Sequence, residues 1–351
     1  MFNIPEELNK KDYVFLTSDK HLGNNIMLLA YGGSIAYGTN LPTSDIDIRG
    51  IALNSRDEVF GVDKDFEQVV EINTDTTIYS LKKMVQLLMS CNPNTIEILG
   101  CKPEHYLYVT NTAEMLLNIK EAFLSKIAIK SFGGYARDQF NRLEHGLLGN
   151  GENDSKYMDM LKHSLERSID SFYALHSNTE LNLNVNIKTK EEAPDLWDRY
   201  KHSEKCEQLE KDIYVTGTIK DCPITELKSA MGGIVNVYND FGRLNKRNTK
   251  KDGMHLAKHM MHLLRLYFMG TELNTKGTIH TYREDEHDLL MDVRNGKYMY
   301  DNEKKVKPEF YDILHDVQNK YEESIKDTVL PDKPNIDRIN YTLYEIYRSN
   351  M

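Results

Sequence analysis

The sequence predicts an α+β protein, with strands and short helices over residues 1–108 and a mainly helical region over 109–351. Three observations predict it. An apolar run, Ile26 to Ala30, leads into the small-residue stretch Tyr31-Gly32-Gly33-Ser34. A second segment, Asp45-Ile46-Asp47-Ile48, alternates with the two-residue period of a strand. From residue 111 onward the apolar positions recur instead at helical spacing, as in Leu116, Ile119, Phe123 and Ile127.

Composition narrows the function classes. Fifty-four Asp and Glu against 44 Lys and Arg leave a net charge of −10, which argues against attraction to nucleic acid over the whole surface while permitting a local basic groove. The four cysteines show no C-x-x-C spacing, and the first residues are polar, so a reduced, cytoplasmic protein is expected. No stretch approaches the roughly 18 consecutive apolar residues of a membrane span, so no membrane partner is expected. A chain of 351 residues can bury a substantial core in two lobes.

Residues 22–31 read as a core strand ending at the glycine turn. Gly32 and Gly33 let the backbone turn sharply and approach a ligand, and Ser34 is positioned to open a short helix whose N–H groups attract phosphate. That helix is brief, because Gly38 and Pro42 disfavour its continuation. The chain then returns as a strand from Asp45 to Leu53. Strand alternation sends Asp45 and Asp47 to one face and the two isoleucines to the other. Two neighbouring carboxylates repel unless a divalent cation offsets them, and Mg²⁺ prefers hard oxygens shared between protein and phosphate. The turn and the pair together predict a metal–nucleotide site. Arg49 shares the parity of the two aspartates and is placed either to hold phosphate or to pair with a carboxylate.

Gly33-Ser34, Ala36-Tyr37-Gly38 and Ser44-Asp45-x-Asp47-x-Arg49-Gly50 resemble the signature of DNA polymerase beta-like nucleotidyltransferases, particularly a bacterial and phage branch assigned to RNA repair. The resemblance continues in Tyr79-Ser80-Leu81-Lys82-Lys83, in Asn92-Pro93-Asn94-Thr95-Ile96-Glu97-Ile98-Leu99, and in the Lys258 to Arg265 segment. It implies a mixed sheet with helices as the catalytic core. It also implies transfer of a nucleoside monophosphate from an NTP to a hydroxyl acceptor, an RNA 3′ end or broken tRNA, with release of pyrophosphate. Two Mg²⁺ ions, with Mn²⁺ as a possible substitute, would be held by Asp45, Asp47 and a third carboxylate.

Asp75 is the choice for that third ligand, because it directly precedes the strand-like Thr76 to Tyr79 and because the resemblance places an acidic residue there. Glu71 shares its face in a continuous strand and competes for the role. Ser80 opens a helix over Leu81 to Met89, on which Lys82 or Lys83 is placed to approach phosphate. Glu97, in a short helix after Pro93, is placed either to orient a basic residue of the site or to interact with the helix dipole.

In the helical region, Lys126, Lys130 and Arg137 form one basic face, and Gly133-Gly134 permits a bend. Gly149-Asn150-Gly151 predicts a turn, residues 154–176 a helix, and residues 177–193 a loop or short strand pair. Trp197 and Tyr200 read as lid packing or an RNA contact. Residues 242–258 concentrate Arg243, Lys246, Arg247, Lys250, Lys251 and Lys258, which predicts a basic loop able to clamp a polyanion. The strongest helix runs from His255 to Phe268. Leu256, Met260, Leu263 and Tyr267 make its buried stripe, whereas Lys258, His262 and Arg265 repeat at four and seven on another face, suited to several contacts with one nucleotide.

The expected activity is therefore metal-dependent nucleotidyl transfer, with Gly33, Ser34, Arg49, Lys82, Lys258, His262 and Arg265 binding the nucleotide. Two rivals stand beside it: nucleotidylation of a protein or small molecule, and a catalytically inactive nucleotide- or RNA-binding module.

Overall fold

The computed structural model describes residues 2–62, 66–147, 159, 161–169, 180–189, 192, 211–220, 222–248, 253–300 and 305–350. Its contacts divide the chain into two compact units. The first comprises Met1–Phe140, Ala257–Tyr300 and Val306–Met351, and the second Asn141–Leu256 and Asp301–Lys305. The N-terminal part of the chain is a mixed α+β core around a five-stranded sheet, and the C-terminal part is largely helical.

Strand β1 (Ile26–Tyr31) is the axis of the first unit. Its first five residues are all buried, as expected of a strand covered on both faces. It pairs antiparallel with β2 (Ile48–Ala52) on one side and with β5 (Tyr106–Val109) on the other. Beyond β2 lie β4 (Thr76–Ser80), parallel to it, and the edge strand β3 (Gln68–Glu71), antiparallel to β4. The order is β3-β4-β2-β1-β5. Burying the side chains of Ile26, Leu29, Ile48 and Ile78, together with Leu8, Leu16 and Phe66 from the covering segments, contributes about 1.5–3 kcal/mol each.

The sequence between β3 and β4 corrects one expectation. Residues 69–79 do not form one extended run, because the turn at Ile72–Asp75 folds them into a hairpin in which Glu71 pairs with Thr76. Side-chain alternation does not pass through a turn, so Glu71 and Asp75 need not share a face. The predicted Asp45–Leu53 strand is likewise shorter, because ladder pairing begins at Ile48 and both aspartates precede it.

Around the sheet lie the short helices α1 (Phe15–Ser18), α2 (Gly33–Tyr37), α3 (Arg56–Phe60) and α5 (Pro93–Ile96), with α4 (Leu81–Met89) longer. The Ser80 hydroxyl caps α4 by accepting from the Lys83 N–H at 3.1 Å. The helical spacing that begins at residue 111 is instead divided among α6 (Asn111–Leu117), a single 3-10 turn at Lys120–Phe123 and α7 (Ile127–Leu147). The Gly133-Gly134 step is absorbed inside α7, with Gly133 facing the Tyr321 hydroxyl. Helix α9 (Gly253–Lys276) carries the fully buried Met260, Met261, Leu263 and Leu264 into the first unit. Helices α10 (His287–Arg294), α11 (Pro308–Lys326) and α12 (Ile336–Asn350) complete the fold.

The second unit contains a hairpin of two ten-residue strands, β6 (Glu180–Thr189) and β7 (Lys211–Lys220), paired in unbroken register. Among the described residues of 177–193 one strand forms, and its partner lies beyond residue 210. Leu161, Leu165, Ile169, Val185 and Ile234 form its core with helix α8 (Ile224–Asn248). Helix α8 runs uninterrupted through Gly232-Gly233. Residues 242–248 of the basic segment are thus helical rather than a loop. The Gly149–Gly151 turn, Trp197, Tyr200, Lys250 and Lys251 lie outside the described residues.

Candidate active site

The start of two neighbouring parallel strands brings Asp47 and Asp75 together. Ile48 stands opposite Thr76 in the ladder, so the residue before each occupies an equivalent place, and the Ile48 N–H donates to the Asp75 carbonyl at 3.3 Å. The backbone of Asp75 has φ +43°, a left-handed conformation that Asp tolerates better than most non-glycine residues. The Asp47 carbonyl accepts from the Gly32 N–H at 2.8 Å, which ties the glycine turn to the same place.

Helix α2 follows at once. Gly32 is its N-cap, without a side-chain bond, so Ser34 is the second residue of the helix rather than its opener, and it is buried. Gly33 has φ +55°, and a Cβ on it would lie 1.8 Å from the Asp47 Oδ2. Only a glycine lets the turn pass directly beneath that carboxylate. Helix α2 ends at Gly38, where φ is +72° and a Cβ would fall 2.0 Å from the Tyr282 ring. The Thr39 N–H returns to the Ser34 carbonyl at 2.8 Å, a left-handed helix stop.

Arg49 crosses the mouth of the pair. Its Nη1 donates to the Asp75 carbonyl at 2.7 Å and stands 3.5 Å from the Asp75 carboxylate, while its Nη2 is 3.9 Å from that of Asp47. Partial burial and the neighbouring Asp75 carboxyl push Asp47 up to about 7, against the lowering influence of Arg49 and Lys258. Asp75 moves below the usual carboxylate range, first through its hydrogen bond with Asp47. The two carboxyls repel one another as anions, which favours one of them holding a proton.

Among the described residues, no three His, Cys, Asp or Glu side chains gather as a group able to hold a metal ion. The expected Asp45–Asp47–Asp75 triad is therefore present only as its Asp47–Asp75 pair. Asp45 is exposed, outside the ladder that would have forced it onto the face of Asp47. Glu71 holds the hairpin turn instead, accepting from the backbone and side-chain amide of Asn73 at 3.2 and 3.0 Å. The pair still fits a hard divalent cation in chemistry, since it offers closely spaced anionic oxygens, one of them carrying a proton that a cation would displace.

The predicted stripe on α9 faces the protein's own acidic groups. Lys258 is exposed, and its charge acts on both Asp47 and Asp75. His262, half-buried, meets the Tyr37 ring edge-on at 5.8 Å, and burial beside Arg265 and Lys258 keeps its imidazole neutral. Arg265 is only 3 % exposed and forms an ion pair with Glu97, itself 5 % exposed, at 3.3 Å. Arg265 is thus withdrawn from direct nucleotide contact, because the buried Glu97 carboxylate takes its charge. Lys82 is exposed on α4, and Lys83 pairs with Glu67 at 3.0 Å. Sequence reasoning did not foresee Tyr37 as the partner of Glu97; its only signal was the position four residues after Gly33, on the helix the turn creates.

The mixed α+β fold and a match to one family model together support a nucleotidyltransferase-like core. Residues 10–168 match the family model described as RlaP, the RNA repair pathway DNA polymerase beta family. The match covers a 159-residue N-terminal region of the 351-residue chain. Comparison with curated proteins and with solved structures finds no match. Among the described residues, no helix is long and apolar enough to cross a membrane.

Proposed function

We propose that the protein is a Mg²⁺-dependent nucleotidyltransferase that moves a nucleoside monophosphate from an NTP to the 3′ hydroxyl of an RNA, releasing pyrophosphate. The observation that carries this reading is the Asp47–Asp75 pair, set at the heads of adjacent parallel strands directly above the Gly32–Gly33 turn. Asp47 and Asp75 would hold the cation, with the exposed Asp45 as a further oxygen donor. When bound there, the cation would supply Lewis-acid stabilisation of charge on the reacting phosphate.

The remaining residues act on the polyphosphate. The Gly33–Ser34 turn offers backbone N–H groups close to the carboxylates. Lys258 brings a positive charge to the same place from α9. Arg49 limits the repulsion within the pair and holds Asp75 by its carbonyl. His262, neutral in its pocket, adds no charge and supports Tyr37. The choice of an RNA acceptor is supported by the description of the matched family.

The test is a screen of ATP, CTP, GTP and UTP, each labelled at the α-phosphate, with a pool of RNAs and Mg²⁺. Lengthened RNA supports the reading, and label on protein or a small molecule instead assigns a different acceptor. Asp47→Asn and Asp75→Asn are expected to abolish transfer while leaving a folded protein. Full activity in Asp47→Asn overturns the metal role.

A further inference from the structure

A buried polar cluster beneath the glycine turn is not used by the chemistry above. Tyr37, the last residue of α2, donates its hydroxyl to the Glu97 carboxylate, at 2.8 and 2.7 Å from its two oxygens. Arg265 Nη1 reaches the same carboxylate at 3.3 Å, and its guanidinium lies 3.8 Å from the Tyr37 ring centroid. The Thr281 hydroxyl donates to the Glu97 carbonyl, which pins the third element in place.

This cluster is costly to build. Burying an ion pair removes both charges from water, and its mutual attraction often fails to recover more than apolar residues of the same volume would contribute. The Nε of Arg265 is buried without a partner, so even the cluster's own satisfaction is incomplete. A device of low value to stability is more informative about geometry, because an ion pair with a stacked ring tolerates only one register.

That register bears directly on the site. Arg265 lies seven residues after Lys258, two turns along the same face of α9. The charge of Arg49 is felt at Glu97, and the charge of Asp47 at Tyr37, so the buried cluster and the carboxylate pair are electrostatic neighbours. Fixing Arg265 on Glu97 therefore fixes how far α9 reaches along the turn, and with it where Lys258 stands relative to Asp47 and Asp75.

We propose that Tyr37, Glu97 and Arg265 form a positioning device that sets the register of α9 against the glycine turn and so holds Lys258 at the polyphosphate of the bound nucleotide. The inference rests on reading the Asp47–Asp75 site as an NTP site. Arg265, Glu97 and Tyr37 act through Lys258 and touch no substrate.

The decisive measurement is the affinity for a fluorescent ATP analogue with Mg²⁺, read by anisotropy, alongside KM and kcat for transfer and the melting temperature. Removing Arg265 alone leaves the buried Glu97 carboxylate without its countercharge, a change large enough to unfold the chain, so the variant of choice is Glu97→Gln with Arg265→Met, which removes both charges together. It is expected to melt near the parent temperature and to bind the analogue about tenfold more weakly, with KM rising and kcat changing less. Tyr37→Phe, which keeps the ring and loses the hydroxyl, is expected to move affinity in the same direction by a smaller factor. In a Lys258→Ala background the double change is expected to weaken binding less than about twofold further, since the effect is already spent. Undiminished affinity in the double variant and in Tyr37→Phe overturns the proposal, as does a full tenfold loss that persists without Lys258. If Asp47→Asn and Lys258→Ala both leave nucleotide binding and transfer unchanged, the NTP site itself is wrong and the positioning role falls with it.

Discussion

Gly33 passes so closely beneath Asp47 that a single methyl group on it would overlap the carboxylate, with Oδ2 1.8 Å from the position of the missing Cβ. The turn and the acid are thus one object, which neither residue forms alone.

Gly33→Ala is consequently expected to damage binding more than folding. The backbone at φ +55° costs an L-residue on the order of 1–2 kcal/mol, and Asp47 must also swing away from Asp75. Mg²⁺ affinity by calorimetry is expected to fall by at least about tenfold, equivalent to roughly 1.4 kcal/mol. The accompanying drop in melting temperature is expected to be only a few degrees. Unchanged Mg²⁺ affinity would show that the close approach has no bearing on the pair.

The elevated Asp47 gives the metal-free protein a distinctive pH dependence. The group titrates near 3.8 in the unfolded chain and near 7 in the fold, so between those values the folded state holds a proton that the unfolded chain has lost. Stability is then greatest on the acid side of this window and declines as pH rises from about 4 to about 7. Asp75, depressed in the fold, contributes the opposite slope, lost only as pH falls below the usual carboxylate range. Melting curves in chelator from pH 5 to 8 are expected to show the decline, and Asp47→Asn to remove it. Saturating Mg²⁺ is expected to flatten it in the parent, because the cation binds the deprotonated pair.

Gly38 joins a second pair of constraints. With φ at +72° and the Tyr282 ring 2.0 Å from a built Cβ, Gly38→Ala meets both a backbone penalty and a collision. Destabilisation of about 2–4 kcal/mol is expected. Shortening Tyr282 to Ala in the same chain relieves only the collision. The two substitutions are therefore expected to be less than additive in chemical denaturation, and strict additivity would mean that the ring is not the obstacle.

Much of this arrangement was legible in local sequence. The apolar Ile26–Ala30 run, the Ser80 cap and the break at Gly38 each follow from chemistry that acts within a few residues. The fate of Arg265 was not legible, because helical spacing reports which residues share a face and says nothing of what that face meets. Lys258 and Arg265 share a stripe, yet one is exposed and the other sealed against Glu97, 168 residues away in sequence. The shared face expected of Glu71 and Asp75 failed for a similar reason. The alternation that placed Glu71 beside Asp75 ignored a four-residue turn whose stability depends on Asn73 and Glu71 themselves. The β6–β7 pairing was hidden because its partner strand lies beyond a long intervening stretch, out of reach of any local signal.

Lys258 provides the last test, because it links the helix to the titration of the pair. Its positive charge lowers both Asp47 and Asp75 from a position exposed to solvent, where screening keeps the interaction modest. Lys258→Gln removes the charge and keeps most of the stem. Without it, the carboxylate form of Asp47 loses one source of support, and its midpoint is expected to rise above about 7 by a few tenths of a unit. The pH at which Mg²⁺ binding reaches half its maximum should move upward by the same amount. Because the effect is Coulombic and partly exposed, 0.5 M salt should shrink the difference between parent and variant, which a purely steric role for Lys258 would leave unchanged. A midpoint that stays fixed in Lys258→Gln at low salt would separate α9 from the acidic pair, and the same calorimetric titrations, run at two ionic strengths, decide between the two outcomes.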